Sequence, residues 1–403
     1  MACVVLFKCK CAAGLLGSQG IAGQRTQTTS LMAAPPVYLY CSACGQKLKV
    51  KPDNFGETRC KTSFQPVERS SVAPAMRPCG RGRWLNWLSW SYLLLMASAA
   101  ASLHGLSELW WPNTLFLYSP RWVITLPLLA LVPAALVYRR KSLLLLTGSL
   151  LIWSFLLAGL TMNWPGGTAG AGTDEIRVMT CNLHGGRIDK RGFQVYLDQT
   201  QPDIVLLQEC DDESLRAVFS EAGWSLAESG HLWVASRLAI EPAQGLARGS
   251  LQLSGGAGAF NVSTRQGPIR LINVHLPTPR NGLSAVLSRR WEGVAELRNN
   301  TAARSDASAT VRQFSGGNDP SLIVAGDFNS PIESNIMRDY WGDLSNAFSQ
   351  RGLGFGATKY TRWHGVRIDH ILFGPAWSCR HCGVGPNIGS DHRPVFAVLE
   401  ASN

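Results

Sequence analysis

Six short motifs place acidic, amide and imidazole side chains at the ends of apolar runs, where no hydrophobic core needs them. The motifs are RVMTCNLH (177–184), DIVLLQE (203–209), LINVH (271–275), LIVAGDFN (322–329), RIDH (367–370) and GSDHRP (389–394). Carboxylate oxygens are the hard ligands that Mg²⁺ or Mn²⁺ prefers. Imidazole and amide groups can hydrogen-bond a charged phosphoryl oxygen, and a carboxylate can orient a water molecule for attack. The combination predicts metal-assisted hydrolysis of a phosphate ester.

The elements that must position these side chains are short strands. Apolar runs between Gly-containing turns predict strands at residues 176–181, 204–207, 233–236, 269–274, 322–325, 368–373 and 395–399. Helical character is predicted at residues 192–200 and 283–300. Mixed helices and strands indicate an α/β fold of packed layers, with the motifs on loops that a rigid sheet supports.

In this order the six motifs resemble those of the endonuclease/exonuclease/phosphatase superfamily, over about residues 176–399. GDFN (326–329) and SDHRP (390–394) are its most specific signatures. The resemblance implies a four-layer α/β sandwich, in which two central β-sheets are flanked by helices. It also implies a divalent-metal-dependent phosphoesterase. Substrates in the superfamily include nucleic acids, sphingomyelin and inositol lipids.

The resemblance implies a role for each matching residue. The residues expected to bind Mg²⁺ or Mn²⁺, or to position it, are Asn182, Glu209 and Asp391. The expected catalytic residues are His275, Asp327, Asn329, Asp369 and His392. Among these, Asp327 is expected to orient the attacking water, Asn329 to bind phosphate, and His275 to stabilise the transition state. His392 is expected to lie at the phosphate, with Asp369 as its carboxylate partner.

Some polar residues near the motifs are not general to the superfamily. Arg280 and Arg367 could clamp a second phosphate, because arginine bonds phosphate through two donors at once. Each could equally be a solvated loop arginine. Cys379 and Cys382 form a C-x-x-C pair for which a disulfide or two spare thiols is favoured over a metal site.

The charge of the chain is concentrated in its first part. Residues 1–173 carry 16 basic and 4 acidic residues, whereas residues 174–403 carry 22 basic and 23 acidic, giving the net +11 of the whole chain. A general electrostatic attraction to nucleic acid would require the basic excess to lie in the catalytic part. A nucleic-acid substrate is therefore not favoured.

Three windows without Asp, Glu, Lys or Arg precede the catalytic part, at residues 84–106, 122–138 and 142–162. Each is long enough, or nearly so, for a membrane-spanning helix, and tryptophans lie near their ends as in interfacial belts. We therefore expect a membrane region of three helices over residues 84–162. A buried helical core is the alternative, and the second window could instead be re-entrant.

Basic residues mark the cytoplasmic side of membrane helices. They precede the first window and separate the second from the third, at Arg77, Arg81, Arg83, Arg139, Arg140 and Lys141. This arrangement predicts an integral protein of the plasma or inner membrane, with an extracytoplasmic catalytic domain at residues 174–403. The Gly-rich residues 163–173 are expected to form a flexible tether.

The first 83 residues carry weaker signals. Residues 1–37 form an extension of uncertain nature, and residues 68–83 a basic linker. Residues 38–67 resemble a zinc ribbon, with Cys41, Cys44 and Cys60 as thiolate ligands. A fourth thiolate is missing from this pattern, so Zn²⁺ binding and a degenerate remnant both stay open.

Together these features predict a membrane-tethered phosphohydrolase that cleaves a phosphate ester or diphosphate, with a lipid-linked substrate favoured. Its expected partners are this phosphorylated substrate and the membrane; the sequence indicates no protein partner. The first alternative is an extracytoplasmic nuclease of the same fold. The second is a catalytically dead binding module, which the presence of Glu209, Asp327 and His392 disfavours.

Overall fold

The computed structural model describes residues 37–40, 47–50, 82–163, 175–220, 223–246, 255–265, 267–317 and 319–402. Its contacts divide the chain into two units, Met1–Arg77 and Pro78–Asn403. In the first unit, strands β1 (Val37–Tyr40) and β2 (Lys47–Val50) pair antiparallel. The cysteines of the predicted zinc segment, Cys41, Cys44 and Cys60, lie outside the described residues, as do most of the predicted extension, linker and tether. These predictions stay predictions.

The second unit begins with a helical region. Its helices and final short strand are α1 (Arg83–Gly105), α2 (Trp111–Tyr118), α3 (Leu128–Tyr138), α4 (Ser142–Ile152) and β3 (Thr161–Met162). A 3-10 turn, Arg121–Thr125, leads towards α3, and a π-helical turn, Trp153–Leu157, extends α4. The three charge-free windows are thus helical over most of their length. The segment between the first two windows is also largely helical, because it contains α2.

The helical region leaves much of its apolar surface exposed. Its small core is formed by buried side chains, including Leu85, Met96, Leu103, Leu117 and Leu146. Outside this core, large side chains are more than two-thirds exposed at Trp87, Leu129, Val137 and Leu144. Many exposed large apolar side chains in one region usually mark contact with a membrane or another apolar partner.

By length and composition, one helical segment of the described chain qualifies as a membrane span. It is Arg121–Tyr138, with a mean hydropathy of 1.7, and the apolar segment Ser142–Leu157 is shorter than a span requires. Helix α1 is long enough, but its Asn, Ser and Trp residues reduce its hydropathy. One such segment also occurs in soluble proteins, so the three predicted spans stay a prediction.

Most of the remaining chain forms strands and helices in alternation. The strands are β4 (Glu175–Asn182), β5 (Ile204–Gln208), β6 (Ser225–Ser229), β7 (Leu232–Ser236), β8 (Ile240–Leu246), β9 (Gly256–Thr264), β10 (Gly267–His275), β11 (Ile323–Asp327), β12 (Ser345–Asn346), β13 (Leu353–Gly354), β14 (Lys359–Tyr360), β15 (Gly365–Val366), β16 (Asp369–Phe373), β17 (Trp377–Val384) and β18 (Val395–Ala401). The helices are α5 (Lys190–Thr200), α6 (Arg216–Ser220), α7 (Arg280–Arg289), α8 (Val294–Phe314), α9 (Asn335–Trp341) and α10 (Ala347–Arg351). Each predicted strand has a counterpart, with bounds that differ by up to two residues.

In the described part of the chain, two six-stranded mixed sheets form the centre of the domain. Their strand orders are β12-β16-β11-β10-β9-β8 and β17-β18-β4-β5-β7-β6. Apolar side chains from both sheets, such as Leu206 and Leu271, form one core between them. The outer face of the second sheet packs on α5, and that of the first sheet packs on α8 and α9. The layers are therefore helix, sheet, sheet and helix, which confirms the predicted α/β sandwich.

The structure corrects one local prediction and decides between two alternatives in another. Residues 283–300 do not form one helix, because Arg290 has a φ of 55° and separates α7 from α8 through a 3-10 turn. Cys379 and Cys382 are buried free thiols, so the spare-thiol alternative is confirmed. A bulge between Cys379 and His381 lets both sulfurs face the core of the sandwich despite their odd spacing.

Buried polar contacts join the helical region to the sandwich. Glu108, which precedes α2, accepts hydrogen bonds from Ser334 Oγ at 2.6 Å and from the backbone N of Asn335 at 2.9 Å. Its carboxylate therefore satisfies donors at the start of α9, where the helix dipole also favours negative charge. Strand β3 pairs with β13 beyond this contact. The helices and the sandwich thus share one set of buried interactions.

Candidate active site

Sheet register brings the predicted site residues together. In the second sheet, Asn182 at the end of β4 lies opposite Gln208, which precedes Glu209. In the first sheet, His275 pairs with Asp327, and Asp327 pairs with Asp369 on the next strand. Strand ends that are neighbours in a sheet place their side chains at the same edge. The motifs separated in sequence therefore converge at one edge of the two sheets.

Asn182 links the two sheets at this edge. Its Nδ2 donates to Glu209 Oε1 at 3.0 Å and to Asp327 Oδ2 at 3.1 Å. Burial works to raise the pKa of Glu209, but the hydrogen bond from Asn182 and the nearby histidines lower it below its ordinary value. Glu209 is therefore a carboxylate at neutral pH, and 30% of its side chain is exposed at the pocket.

His392 and Asp369 form a buried pair. The Nδ1 of His392 lies 2.9 Å from Asp369 Oδ2, and its Nε2 lies 3.7 Å from Asp327 Oδ2. Burial alone would lower the pKa of His392, but the charges of Asp369 and Asp327 outweigh it and raise the pKa to about 9. Burial and the charge of Asp369 raise the pKa of Asp327 to about 7, against the opposing effect of His392. An imidazolium beside two carboxylates can donate a hydrogen bond to an anionic substrate.

His275 and Asn329 complete the pocket that these groups line. The Nε2 of His275 lies 3.6 Å from Glu209 Oε1, and its Nδ1 lies 3.2 Å from His231 Nε2. Asn329 donates its backbone N–H to Asp327 Oδ1 and its Nδ2 to the carbonyl of Leu276. The pocket has a volume of about 390 Å³. All five predicted catalytic residues therefore lie in or directly behind one cavity.

The backbone at the site adopts conformations that most side chains avoid. Glu209, His184 and Asn329 have φ values of 56°, 50° and 50°, in the left-handed region. Such conformations are sparsely populated and concentrate at functional sites. Gly326, with φ of 147°, approaches the strand β10 so closely that a Cβ would lie 2.0 Å from the carbonyl oxygen of Val274. The GDFN motif thus requires its glycine.

A buried polar bridge supports the site from behind, and the sequence analysis assigned it no role. Gln208 Nε2 donates to Asn273 Oδ1 at 2.7 Å, and Asn273 Nδ2 donates to the carbonyl of Leu207 at 2.9 Å. Because Gln208 and Asn273 belong to different sheets, this bond fixes the spacing of the two strand ends. The sequence signal that could have revealed this bridge is the presence of amide side chains inside otherwise apolar strands.

The helical region contributes a residue to the pocket, which the sequence analysis missed. Tyr118, at the end of α2, lines the cavity and donates its hydroxyl to the carbonyl of Asn329 at 3.0 Å. Arg304 of α8 donates to the Tyr118 hydroxyl at 2.6 Å and to the same carbonyl at 2.8 Å. No local motif marks either residue, because their role depends on contacts between distant segments.

Three predicted residues lie at the margin of the central group or outside it. Asp391 forms an ion pair with Lys359, and its Oδ1 is 3.4 Å from His184 Nδ1 and 4.0 Å from His392 Nε2. Among the described residues, no hydrogen bond or ion pair joins Asp391 to Asn182 or Glu209. Arg280 is exposed at the start of α7 on the rim of the pocket. Arg367 is buried and lines a neighbouring cleft, so its predicted role as a clamp for a second phosphate stays a prediction.

The donor groups present fit a divalent cation. Glu209 offers a carboxylate at the pocket, and Asp391 Oδ1 is a buried carboxylate oxygen without a hydrogen-bond partner. One potential ligand atom each of Asp327, Asp369 and His392 also lie within 4.8 Å of one another. Because His392 Nδ1 is already bonded to Asp369, the oxygen-rich side around Glu209 suits a hard cation better.

A family model described as "Endonuclease/Exonuclease/phosphatase family" matches residues 179–392, just over half of the chain. The chain belongs to this family. The match covers the six motifs except for Arg177 and Val178, which precede it, and Arg393 and Pro394, which follow it. As a member of the endonuclease/exonuclease/phosphatase family, the chain is a metal-dependent hydrolase of phosphoric ester bonds.

The comparison with solved structures found matches at low sequence identity. A humanized D. rerio TDP2 is 17% identical with a TM-score of 0.44, over 57% of this chain and 100% of that one. A family member from Beutenbergia cavernae is 17% identical with a TM-score of 0.44, over 57% of this chain and 72% of that one. The human Nocturnin catalytic domain with bound sulfate is 18% identical with a TM-score of 0.41, over 57% and 95%. The comparison with curated proteins found no match.

Proposed function

We propose that this protein is a membrane-tethered phosphohydrolase whose substrate is a phosphate ester or diphosphate carried by a lipid. The observation that carries the proposal is the position of Tyr118. A segment between apolar helices forms part of the wall of the catalytic pocket, so the site lies beside the surface that would contact a bilayer. The neutral charge of the catalytic part supports a substrate other than bulk nucleic acid.

Within this proposal, Mg²⁺ or Mn²⁺ would be held by Glu209, which Asn182 positions, with the free oxygen of Asp391 as a further donor. A bound cation would polarise a phosphoryl oxygen and offset its charge. Asp327 orients a water molecule and receives its proton as the water oxygen bonds to phosphorus. The bond from phosphorus to the leaving oxygen breaks in the same displacement, and His392, held by Asp369, donates a hydrogen bond to a phosphoryl oxygen. His275 stabilises the transition state from the opposite wall.

The proposal also includes topology. The basic residues that flank the apolar windows support three spans with the catalytic part outside the cytosol. The exposed side chains of the helices, such as Trp87 and Leu144, support burial of that surface in a bilayer. A reporter fused after residue 173 tests the orientation, and a cytoplasmic signal would contradict it.

The test of function uses the full chain purified in detergent. We expect release of phosphate from farnesyl diphosphate or of a headgroup from phosphatidylglycerol vesicles, abolished by EDTA and restored by Mg²⁺ or Mn²⁺. A plasmid-nicking assay runs alongside. Robust plasmid cleavage without lipid hydrolysis would replace the lipid proposal by the nuclease alternative.

A further inference from the structure

A second cavity lies between the helical region and the sandwich. This junction cleft has a volume of about 430 Å³, similar to that of the catalytic pocket. Its walls include Arg121, Trp122 and Trp153 from the helical region, and Glu333, Phe355 and Arg367 from the sandwich. His364 and Val366 line both cavities. The two cavities are therefore neighbours that meet at these two residues.

The cleft holds an arginine whose hydrogen-bonding capacity is not used. Arg367 is 92% buried, and its Nε and one terminal nitrogen, Nη1, have no hydrogen-bond partner. The guanidinium lies over the ring of Phe348 at 4.8 Å. Leaving donors of a buried cation unsatisfied is costly, because the group has lost its hydration without replacement. Such a group points to a ligand that brings an anion.

The other charges of the cleft leave a net positive site. Arg121 donates to the carbonyls of Leu157 and Leu117, and it forms an ion pair with Glu333 at 3.3 Å. Its charge is thus largely matched by the one carboxylate, which also faces Arg367, and both of its terminal nitrogens are occupied. Arg367 is the cation left to pair with an incoming anion. An acidic group in the cleft would restore the charge balance around the buried guanidinium.

Most of the remaining wall of the cleft is apolar or aromatic. The rings of Trp153 and Phe355 lie 5.9 Å apart, and Trp122 stands at the edge with 42% of its surface exposed. Apolar walls with a single unpaired cation suit a ligand that combines an apolar group with an acidic group. A purely polar anion would gain nothing from the aromatic walls.

We infer that the junction cleft binds the part of the substrate beyond the scissile phosphate, an apolar group that carries a second acidic group paired with Arg367. This assignment rests on the proposed function, because it places the scissile phosphate in the catalytic pocket. It gives the helical region a role in selecting the substrate. A diphosphate on an apolar chain matches both cavities, with its terminal phosphate in the pocket and its inner phosphate in the cleft.

The test measures binding separately from turnover. The full chain carrying His392→Ala, purified in detergent with Mg²⁺, is titrated calorimetrically with farnesyl diphosphate, inorganic pyrophosphate and farnesol. Farnesyl diphosphate is expected to bind about tenfold more tightly than either partial probe, because only it fills both parts of the cleft. In the His392→Ala background, a further Arg367→Gln change should weaken the binding of farnesyl diphosphate about tenfold, and Trp122→Ala should weaken it about threefold. The matched controls Arg289→Gln and Trp87→Ala change exposed residues outside the cleft and should leave binding unchanged.

The outcomes separate this assignment from the proposed function. Equal binding of farnesyl diphosphate and pyrophosphate, or unchanged binding in both cleft variants, would overturn the assignment. If Arg367→Gln does not fold by circular dichroism, Trp122→Ala and the cleft-filling Ala357→Leu decide the question. Wild-type hydrolysis of bis(p-nitrophenyl) phosphate tests the phosphoesterase alone. If the wild type hydrolyses this ester but the farnesyl group does not strengthen binding, the phosphoesterase proposal is retained and the cleft is rejected as its substrate site.

Discussion

The helical region and the sandwich differ in how far their large apolar side chains are buried. In the sandwich, large apolar residues such as Trp341 and Phe260 are almost completely buried. In the helical region, residues of the same kind, such as Trp87 and Leu144, face outwards. Polar contacts join the two regions where they meet, at the buried Glu108 and at Tyr118. The difference indicates that the helices need an apolar environment on one side and the sandwich on the other.

The largest expected effect lies within the sandwich. His392→Ala should reduce the turnover of bis(p-nitrophenyl) phosphate on the order of 10³-fold, since it removes a charged donor at the phosphate. The fold should persist. The exposed His381→Ala serves as control. Full activity in His392→Ala would return the binding-module alternative to consideration.

A contact between the regions should dominate stability. Glu108→Ala removes the acceptor for the start of α9 and leaves Arg304, whose Nη1 is 4.0 Å from this carboxylate, without its buried counter-charge. We expect a loss of about 3 kcal/mol in the free energy of unfolding, measured by denaturant titration. Glu292→Ala, at an exposed position, should cost little. An equally small cost at Glu108 would show that the regions are energetically independent.

Lowering the pH should reduce the stability of the protein through a buried histidine of the sandwich. Asn346 Nδ2 lies 3.1 Å from His370 Nδ1, and His370 Nε2 lies 2.9 Å from the carbonyl of Ser330, so the neutral ring satisfies both neighbours. Burial and the charge of Arg367 lower the pKa of His370 to about 4. The unfolded chain binds this proton near its ordinary value of 6.5, so stability is complete above that pH and falls as the pH drops towards 4. The loss should be about 3 kcal/mol relative to His370→Gln, measured by denaturant titration at each pH. Parallel pH profiles of the two proteins would contradict it.

A smaller effect should connect the helices to catalysis. Tyr118→Phe removes the hydroxyl that donates to the carbonyl of Asn329, and a lost hydrogen bond of this kind should reduce kcat about tenfold. Unfolding should change little, because the ring stays in place. Tyr138→Phe, at an exposed residue of the same region, is the control. Unchanged kcat in Tyr118→Phe would confine catalysis to the sandwich.

The smallest effect should come from the outer face of the helices. Trp87→Ala should change the free energy of unfolding in detergent by less than about 0.5 kcal/mol, whereas Trp341→Ala should cost about 4 kcal/mol. Thermal unfolding of both variants measures the contrast. A large cost at Trp87 would mean that this face is covered by protein and not by an apolar solvent.

Much of the sandwich was predictable because its strands carry their own signals. The run that ends at Asp327 is continuous and apolar, and its polar residues begin where the strand stops. Edge strands such as β8 and β17 were missed, because glycine, proline or polar residues interrupt their apolar pattern. The break at Arg290 was missed because its positive φ has no sequence mark. Local pattern predicts an element when the element's own residues determine its burial.

The central site was predictable to a similar degree. The grouping of Glu209, Asp327 and His392 follows from motif order and strand register. Arg367 could not be placed, because adjacent residues on a strand end can face different cavities. Tyr118 and Arg304 could not be found, because 186 residues separate them and only the packed structure brings them together.

The bond from Tyr118 to the Asn329 carbonyl has a practical consequence for anyone producing this protein. A fragment that starts after residue 173 keeps every motif of the family and would look complete in the sequence. It would nevertheless lack one wall of the pocket, one side of the junction cleft and the acceptor that holds the start of α9. Weak activity or altered selectivity in such a fragment would be caused by the missing residues and would not describe the whole chain.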